Sequence, residues 1–272
     1  MSAEQVDVAV IGAGAMGAAT AWHLSRRGAS VEVFEQFEPG HVRGASHGAS
    51  RNFHVAYDES GYLSWLREAR VLWRDLEDES ATALLEVTGI VNHGGGRDLA
   101  GAAAAIRAGG FGAEMLDAGE AGRRWPGIRF DGPALFTPDA GRLNADASVA
   151  ALLSRTVAAG GRVHARTRVE DLAVRDDDRV EFRAVSDTGE RVVRARRVVV
   201  TAGAWTSRRN ATPSRIKSPS VDPASPCRIA RATRSTASRG RRDPRPSCGV
   251  RIRNRPVAAH GTSPATDRKS VV

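Results

Sequence analysis

The chain opens on a nearly continuous apolar run, Val6 to Ile11, broken only by Asp7. Its β-branched character suits a parallel strand covered on both faces. After a glycine turn, Met16, Ala19, Ala21 and Leu24 place an apolar side on a helix from about Ala15 to Arg27. Gly28 stops that helix, and Arg26 and Arg27 complement the dipole of its last turn. Val31, Val33 and then Glu35 mark a second strand. A longer rhythm of Tyr62, Trp65, Leu66, Ala69, Leu72, Trp73 and Leu76 predicts an amphipathic helix with Ser60 as N-cap. Its aromatic stripe reads as core packing. Glu68, Arg70, Arg74, Asp75, Glu77 and Asp78 read as its solvated face. Trp125-Pro126-Gly127 ends a short helix at a turn, and another helix runs from about Ala145 to Ala159 until Gly160-Gly161 stops it. "RDDDRVEFRAVSDTGERVVRA" reads as a β-meander turning at Asp187-Thr188-Gly189, and Val198 to Val200 forms a last buried strand. Strands alternating with helices predict an α/β fold.

The rhythm stops at about Thr206. From Ser207 to Val272 there is no Leu, Phe, Trp, Tyr, Met, Glu or Gln, yet 8 of the 12 prolines lie there. A segment without apolar surface to bury cannot offset a backbone ordering cost of about 1–2 kcal/mol per residue, so disorder is expected. The same segment explains the charge. Of the net +9, the tail carries 16 Lys and Arg against 3 Asp, leaving 24 basic and 28 acidic residues before it. The body is therefore slightly acidic, which argues against a nucleic-acid partner. The tail also lacks the aromatic residues of a single-strand stacking platform. Cys227 and Cys248 both fall in it, without CxxC spacing or a His cluster, so no metal site is expected. No run reaches about 18 apolar residues and the N-terminus has no basic leader followed by an apolar stretch, so the expectation is a cytoplasmic protein without a membrane partner.

The chemistry concentrates in "VDVAVIGAGAMGAATAWHLSRRGASVEVFE". Gly12 permits the sharp turn, Gly14 lets backbone approach a pyrophosphate, and Gly17 lets helix and strand pack closely. The helix start, with Met16 in its first turn, offers N–H groups and partial positive charge to phosphates. Glu35, at the second strand's end, is placed to accept ribose hydroxyls and disfavours a 2′-phosphate. The motif predicts dinucleotide binding but does not by itself choose FAD over NAD. A polar loop, "GASHGASRNFHVAY", gathers Ser46, His47, Arg51 and His54 near the same end. His93 and His164 have no sequence neighbours that mark them as functional.

With these motifs in place the chain resembles the FAD-dependent amine oxidases of the D-amino-acid-oxidase superfamily, in the sarcosine oxidase and N-methyltryptophan oxidase branch. The resemblance covers residues 6–206 and rests on the glycine fingerprint, Ser46-His47-Gly48 with Arg51, and the Ala202-Gly203-Ala204-Trp205 turn. It implies FAD as cofactor, with His47 and Arg51 beside the flavin ring and Val169 offering backbone contacts on the adenine side. It implies a small amine or amino-acid substrate. The reaction it implies passes a C–H hydride to the flavin, hydrolyses the imine, and returns the electrons to molecular oxygen as peroxide. A nearby Arg51 suits the negative charge of a reduced ring. His54 stands where sarcosine oxidases have a carboxylate-gripping arginine, and a neutral imidazole is a poor replacement for a bidentate guanidinium.

The implied fold is a Rossmann-like FAD-binding domain of the GR2 type with an incomplete α+β substrate domain and a disordered tail. Residues 1–88 and 142–206 would build the FAD-binding domain, 89–141 part of the substrate domain, and 207–272 the tail. The lysines and cysteine used by the sarcosine-oxidase branch belong to the stretch expected after the Trp205 turn. Lys217, Lys269, Cys227 and Cys248 match none of those motifs. The tail's composition is that of a GC-rich coding region read out of frame, so the expectation is a truncated, impaired oxidase. The alternatives are an NAD-dependent dehydrogenase and a non-enzymatic protein that binds anionic polymers through its basic tail. The oligomeric state is not fixed by the sequence.

Overall fold

A computed structural model describes residues 4–57, 59–96 and 98–207. From residue 208 onward the expectations for the tail, its two cysteines and its two lysines lie outside the described residues. The apolar run becomes β1 (Glu4–Ile11), followed by α1 (Ala15–Ser25) and β2 (Val31–Phe34). Next come β3 (Arg51–Phe53), α2 (Ser60–Ser80), β4 (Leu85–Glu86), β5 (Ile90–His93), α3 (Leu99–Ala108) and β6 (Glu114–Leu116). These lead through α4 (Ala118–Arg124), β7 (Ala134–Thr137) and β8 (Gly141–Leu143) to α5 (Ala145–Ala158). The chain closes with β9 (Arg162–His164), β10 (Thr167–Val174), β11 (Val180–Ser186), β12 (Gly189–Val200) and a 3-10 turn, Gly203–Ser207.

The main sheet has the order β10-β11-β12-β1-β2-β9. Parallel pairing joins β12, β1, β2 and β9, while β10, β11 and β12 form the antiparallel meander. The last described strand therefore lies beside the first, and its following turn comes down onto the glycine loop. Two smaller sheets, β3-β8-β4 and β5-β7-β6, carry the segment between β2 and α5.

Strand β2 shows how both faces are covered. Val31 and Val33 face α1 and α5, packing with Trp22, Leu152 and Leu153. On the other face Phe34 meets Phe182 of the meander edge-on at 5.1 Å. Glu32 shares that second face and is 1% exposed. It is held there by His164 at 3.0 Å and Arg191 at 3.1 Å. Burying a carboxylate is tolerated only with such partners.

Several helix-level expectations need correction. The buried side of α1 is Gly17, Ala18, Ala21, Trp22 and Ser25, whereas Met16 is 62% exposed. The helix turns its small residues inward because it packs closely against the sheet and α5. It also ends at Ser25, so Arg26 and Arg27 lie in the turn that Gly28 completes with φ +80°. Helix α2 begins at Ser60 with Glu59 as its N-cap, so Ser60 is not the cap. Leu63 and Leu76 are buried, and Leu66, Ala69 and Trp73 pack against cores, but Tyr62 and Trp65 are 47% and 46% exposed. The stripe outruns the core at its first turn. The supposed solvated face is also partly structural. Glu77 accepts the Leu84 and Leu85 N–H groups at 2.7 and 2.8 Å, Arg74 donates to Leu85 O, and Arg70 pairs with Asp139.

Candidate cofactor site

The glycines of the first turn answer to three different neighbours. Gly12 has φ +101°, and a Cβ there would stand 2.7 Å from Thr201 O. A Cβ on Gly17 would come within 1.9 Å of Gly12 O and 2.6 Å of Thr201 Oγ1. Gly14 is extended and caps α1 without a side chain, and a Cβ there would stand 3.0 Å from Ser46 Oγ. Thr201 locks this packing by donating its hydroxyl to Ile11 O and Gly12 O at 3.0 and 2.9 Å. Ala202 and Gly203 begin the turn that follows. The three-layer approach of β1, α1 and the turn after β12 requires glycine at two of these points.

A helix start leaves its first N–H groups without intrahelical acceptors. Ser46 Oγ accepts the Ala15 N–H at 3.0 Å, and among the described residues nothing accepts from Met16 or Gly17. These two donors, at the positive end of α1, form the cradle. Ser46 also ties the loop that follows β2 to this cradle. Within that loop Arg51 donates to the carbonyls of Ser50, Ala45 and His47, and among the described residues none of its partners is a carboxylate. His47 is exposed, and its Nδ1 meets Gly44 O. Asp146 of α5 accepts the Gly48 N–H at 2.9 Å, fastening the loop from the other side.

Glu35 lies one residue past β2 and is 6% exposed. Its Oε2 accepts the Ala13 N–H at 2.9 Å and its Oε1 accepts the Phe37 N–H at 3.0 Å. Strand β10 starts beside it, because the Thr167 N–H donates to Glu35 O at 2.7 Å. Val169 follows on that strand, paired with Ala184. Trp205 donates its indole N–H to Arg43 O at 3.1 Å and packs on Phe37 at 5.4 Å. The structure thus brings Gly12, Gly14, Met16, Gly17, Ser46, Ala202 and Gly203 around one end of the sheet. Glu35, Trp205 and the start of β10 flank it.

His54 is separate from this group. Just past β3, its Nε2 meets Asn92 Oδ1 of β5 at 3.0 Å, and its ring stands edge-on to Tyr57 at 5.5 Å. Tyr57 stacks on Tyr62 at 5.2 Å, and Tyr62 contacts Trp65 at 5.5 Å. An aromatic row therefore leads from His54 to the exposed start of α2. Sequence reading pointed to the Thr201-Ala202-Gly203 turn but missed His41 and Asn92. Asn92 and His41 become visible only through partners distant in sequence or folded back by the loop. Among the described residues His93 has Phe130 as its ring neighbour, and His164 serves the Glu32 network. Among the described residues no group of three or more His, Cys, Asp or Glu could hold a metal, and no helix is long and apolar enough to cross a membrane.

Comparison with known proteins supplies the lineage. The family described as FAD dependent oxidoreductase matches residues 7–256, a span that runs past Thr206 into the tail. The monomeric sarcosine oxidase of Bacillus sp. (strain B-0618) is 30% identical over 209 residues, covering 74% of this chain and 52% of the relative. The peroxisomal sarcosine oxidase of Mus musculus is 33% identical over 206 residues, covering 74% and 51%. Among solved structures, the open form of NikD, an unusual amino acid oxidase essential for nikkomycin biosynthesis, matches with a TM-score of 0.63 at 29% identity. That match covers 75% of this chain and 52% of NikD. The chain spans about half the length of the curated relatives it matches. Since the matched stretch contains the glycine cradle, Glu35 and the Thr201 turn as one packed unit, this chain belongs to the FAD dependent oxidoreductase family.

Proposed function

We propose that the described residues hold FAD and that the whole protein oxidises a C–N bond of a small secondary amine or amino acid. The observation that carries this reading is the Ser46 bridge to the N-terminus of α1. It fastens the loop bearing His47 and Arg51 to the phosphate cradle. The cradle fits the cofactor: two unshared helix N–H groups suit the pyrophosphate, and glycine at position 14 keeps side-chain bulk away from it. FAD, when bound, supplies the two-electron acceptor. Arg51 supplies a fixed positive charge whose partners among the described residues are backbone carbonyls. Val169 would offer its backbone on the adenine side.

His54 sets the substrate class. Paired with the neutral amide of Asn92, it cannot grip a carboxylate in the two-point manner of an arginine. Tyr57, Tyr62 and Trp65 offer faces to an apolar or cationic amine instead. The reading therefore favours a secondary amine whose recognition does not depend on a carboxylate. The test is an absorption spectrum of the purified full chain titrated with FAD, followed by amine-dependent peroxide release. Sub-stoichiometric flavin with weak turnover is the expected result. A tightly held, one-to-one flavin band with rapid peroxide release would remove the claim of impairment. No flavin uptake would overturn the whole reading.

The impairment rests on the composition of residues 207–272, which supports a reading frame lost just after Trp205. Translating the coding DNA downstream of the Trp205 codon in the other two frames is expected to yield apolar strand patterns and the missing lysine motifs. Absence of any such continuation in both frames would refute the frame change.

A further inference from the structure

We infer that His41 is a positioning residue that turns one carboxylate oxygen of Glu35 toward the cofactor's adenosine ribose, an inference that rests on the FAD reading above. Glu35 is anchored at both oxygens by backbone, Oε2 by the Ala13 N–H and Oε1 by the Phe37 N–H. Over Oε1 stands His41, with Nε2 at 3.4 Å. The orientation of that ring is determined by its surroundings. His41 Nδ1 accepts the Arg43 N–H at 2.9 Å, so a neutral imidazole must carry its proton on Nε2, the nitrogen facing Glu35. Phe37 packs edge-on against the ring at 4.8 Å, and the Arg43 guanidinium lies over the Phe37 ring at 4.9 Å. Trp205 then fastens both Phe37 and Arg43 O from the turn after β12.

The consequence follows from counting lone pairs. An ionised carboxylate offers about four acceptor positions. Oε1 has one backbone donor and is covered by the His41 ring at 3.4 Å, whereas Oε2 has, among the described residues, one backbone donor and no ring beside it. His41 thereby makes the two oxygens inequivalent, and Oε2 is the one that can take a ribose hydroxyl. The loop from Glu35 to Arg43 acts as one clamp: its inner residue binds the ribose, and its outer residues hold that inner residue in a single rotamer.

The experiment is competition against FAD by ADP and by 2′,3′-dideoxy-ADP, which lacks both hydroxyls, on the wild-type chain, His41→Ala and His41→Gln. A hydrogen bond to a charged group makes the wild-type chain prefer ADP by about tenfold. His41→Ala is expected to reduce that preference to about twofold or less while leaving dideoxy-ADP affinity unchanged. His41→Gln, whose amide can still stand beside Oε1, is expected to restore most of it. An undiminished preference in His41→Ala, or an equal loss for both ligands, overturns the positioning role. A wild-type chain that takes up neither nucleotide overturns the FAD reading itself, and the inference with it.

Discussion

Gly17→Ala is expected to destabilise the fold by about 3 kcal/mol or more, because the added carbon overpacks backbone with nowhere to move. Its Cβ would stand 1.9 Å from Gly12 O. Gly12 cannot retreat, since its own φ of +101° and the approach of Thr201 O already fix it. Relief requires β1 to part from β12 or α1 to lift from the sheet, and either movement opens the cradle. Urea denaturation followed by circular dichroism reads the loss, and FAD uptake should fall with it. The control is Gly122→Ala in α4, where a Cβ meets nothing within 4 Å. There the same substitution should stabilise by about 0.5–1 kcal/mol, the helix preference of alanine over glycine. Equal effects at the two sites would show that the close approach of α1 to the glycine turn is not what the structure depicts.

The contrast between those glycines shows where sequence patterns suffice. Gly12, Gly14 and Gly17 stand at fixed spacing between a strand and a helix, and each spacing has one geometric reason. Local rules therefore located the tight turn and its close packing. They failed where an answer depends on what arrives from elsewhere in the chain. Val31 and Val33 mark a strand without saying what covers the face between them, and Glu32 is buried because the meander brings Arg191 across that face. The periodicity of α2 was legible, but the length of core beneath it was not, so Tyr62 and Trp65 were placed inside. Glu77 read as a surface charge because its partners, the Leu84 and Leu85 N–H groups, belong to a turn that folds back on the helix. His41 had no signal at all, since its ring is fixed by contacts within its own loop, with Phe37 and the Arg43 N–H, and that loop is tied down by a tryptophan more than half the chain away.

Glu32→Gln is expected to destabilise the fold at neutral pH by about 2–3 kcal/mol, the value of hydrogen bonds to a charged group at a buried site. Burial alone would raise the Glu32 carboxyl, but hydrogen bonds from His164 and Arg191 outweigh it and hold the group below its ordinary value. Arg162 adds little, because its side chain is 61% exposed and solvent screens it. A carboxyl depressed in the folded state contributes stability above its unfolded value, near 4.3, and loses it as pH falls through the folded value. The gap between wild type and Glu32→Gln should therefore be widest at neutral pH and shrink below about pH 4.5. Glu77 is depressed by the same logic, its burial being outweighed by the Leu85 and Leu84 N–H groups and Arg74. A residual acid slope should thus survive in Glu32→Gln and diminish further when Glu77→Gln is added. His23 occupies a different window. Burial, then Arg27 and Arg26, lower its folded value, so the stability it contributes begins to fail as pH drops through about 6.5. Urea midpoints taken from pH 7 to pH 3.5 separate the two: His23 is expected to contribute its loss above pH 5, whereas loss below it is shared among the carboxyls. A Glu32→Gln protein as stable as wild type at pH 7 would mean that the carboxylate's burial cost equals everything its partners return, leaving the apolar packing around Phe34 and Phe182 and the β12–β1 ladder to hold the meander in place.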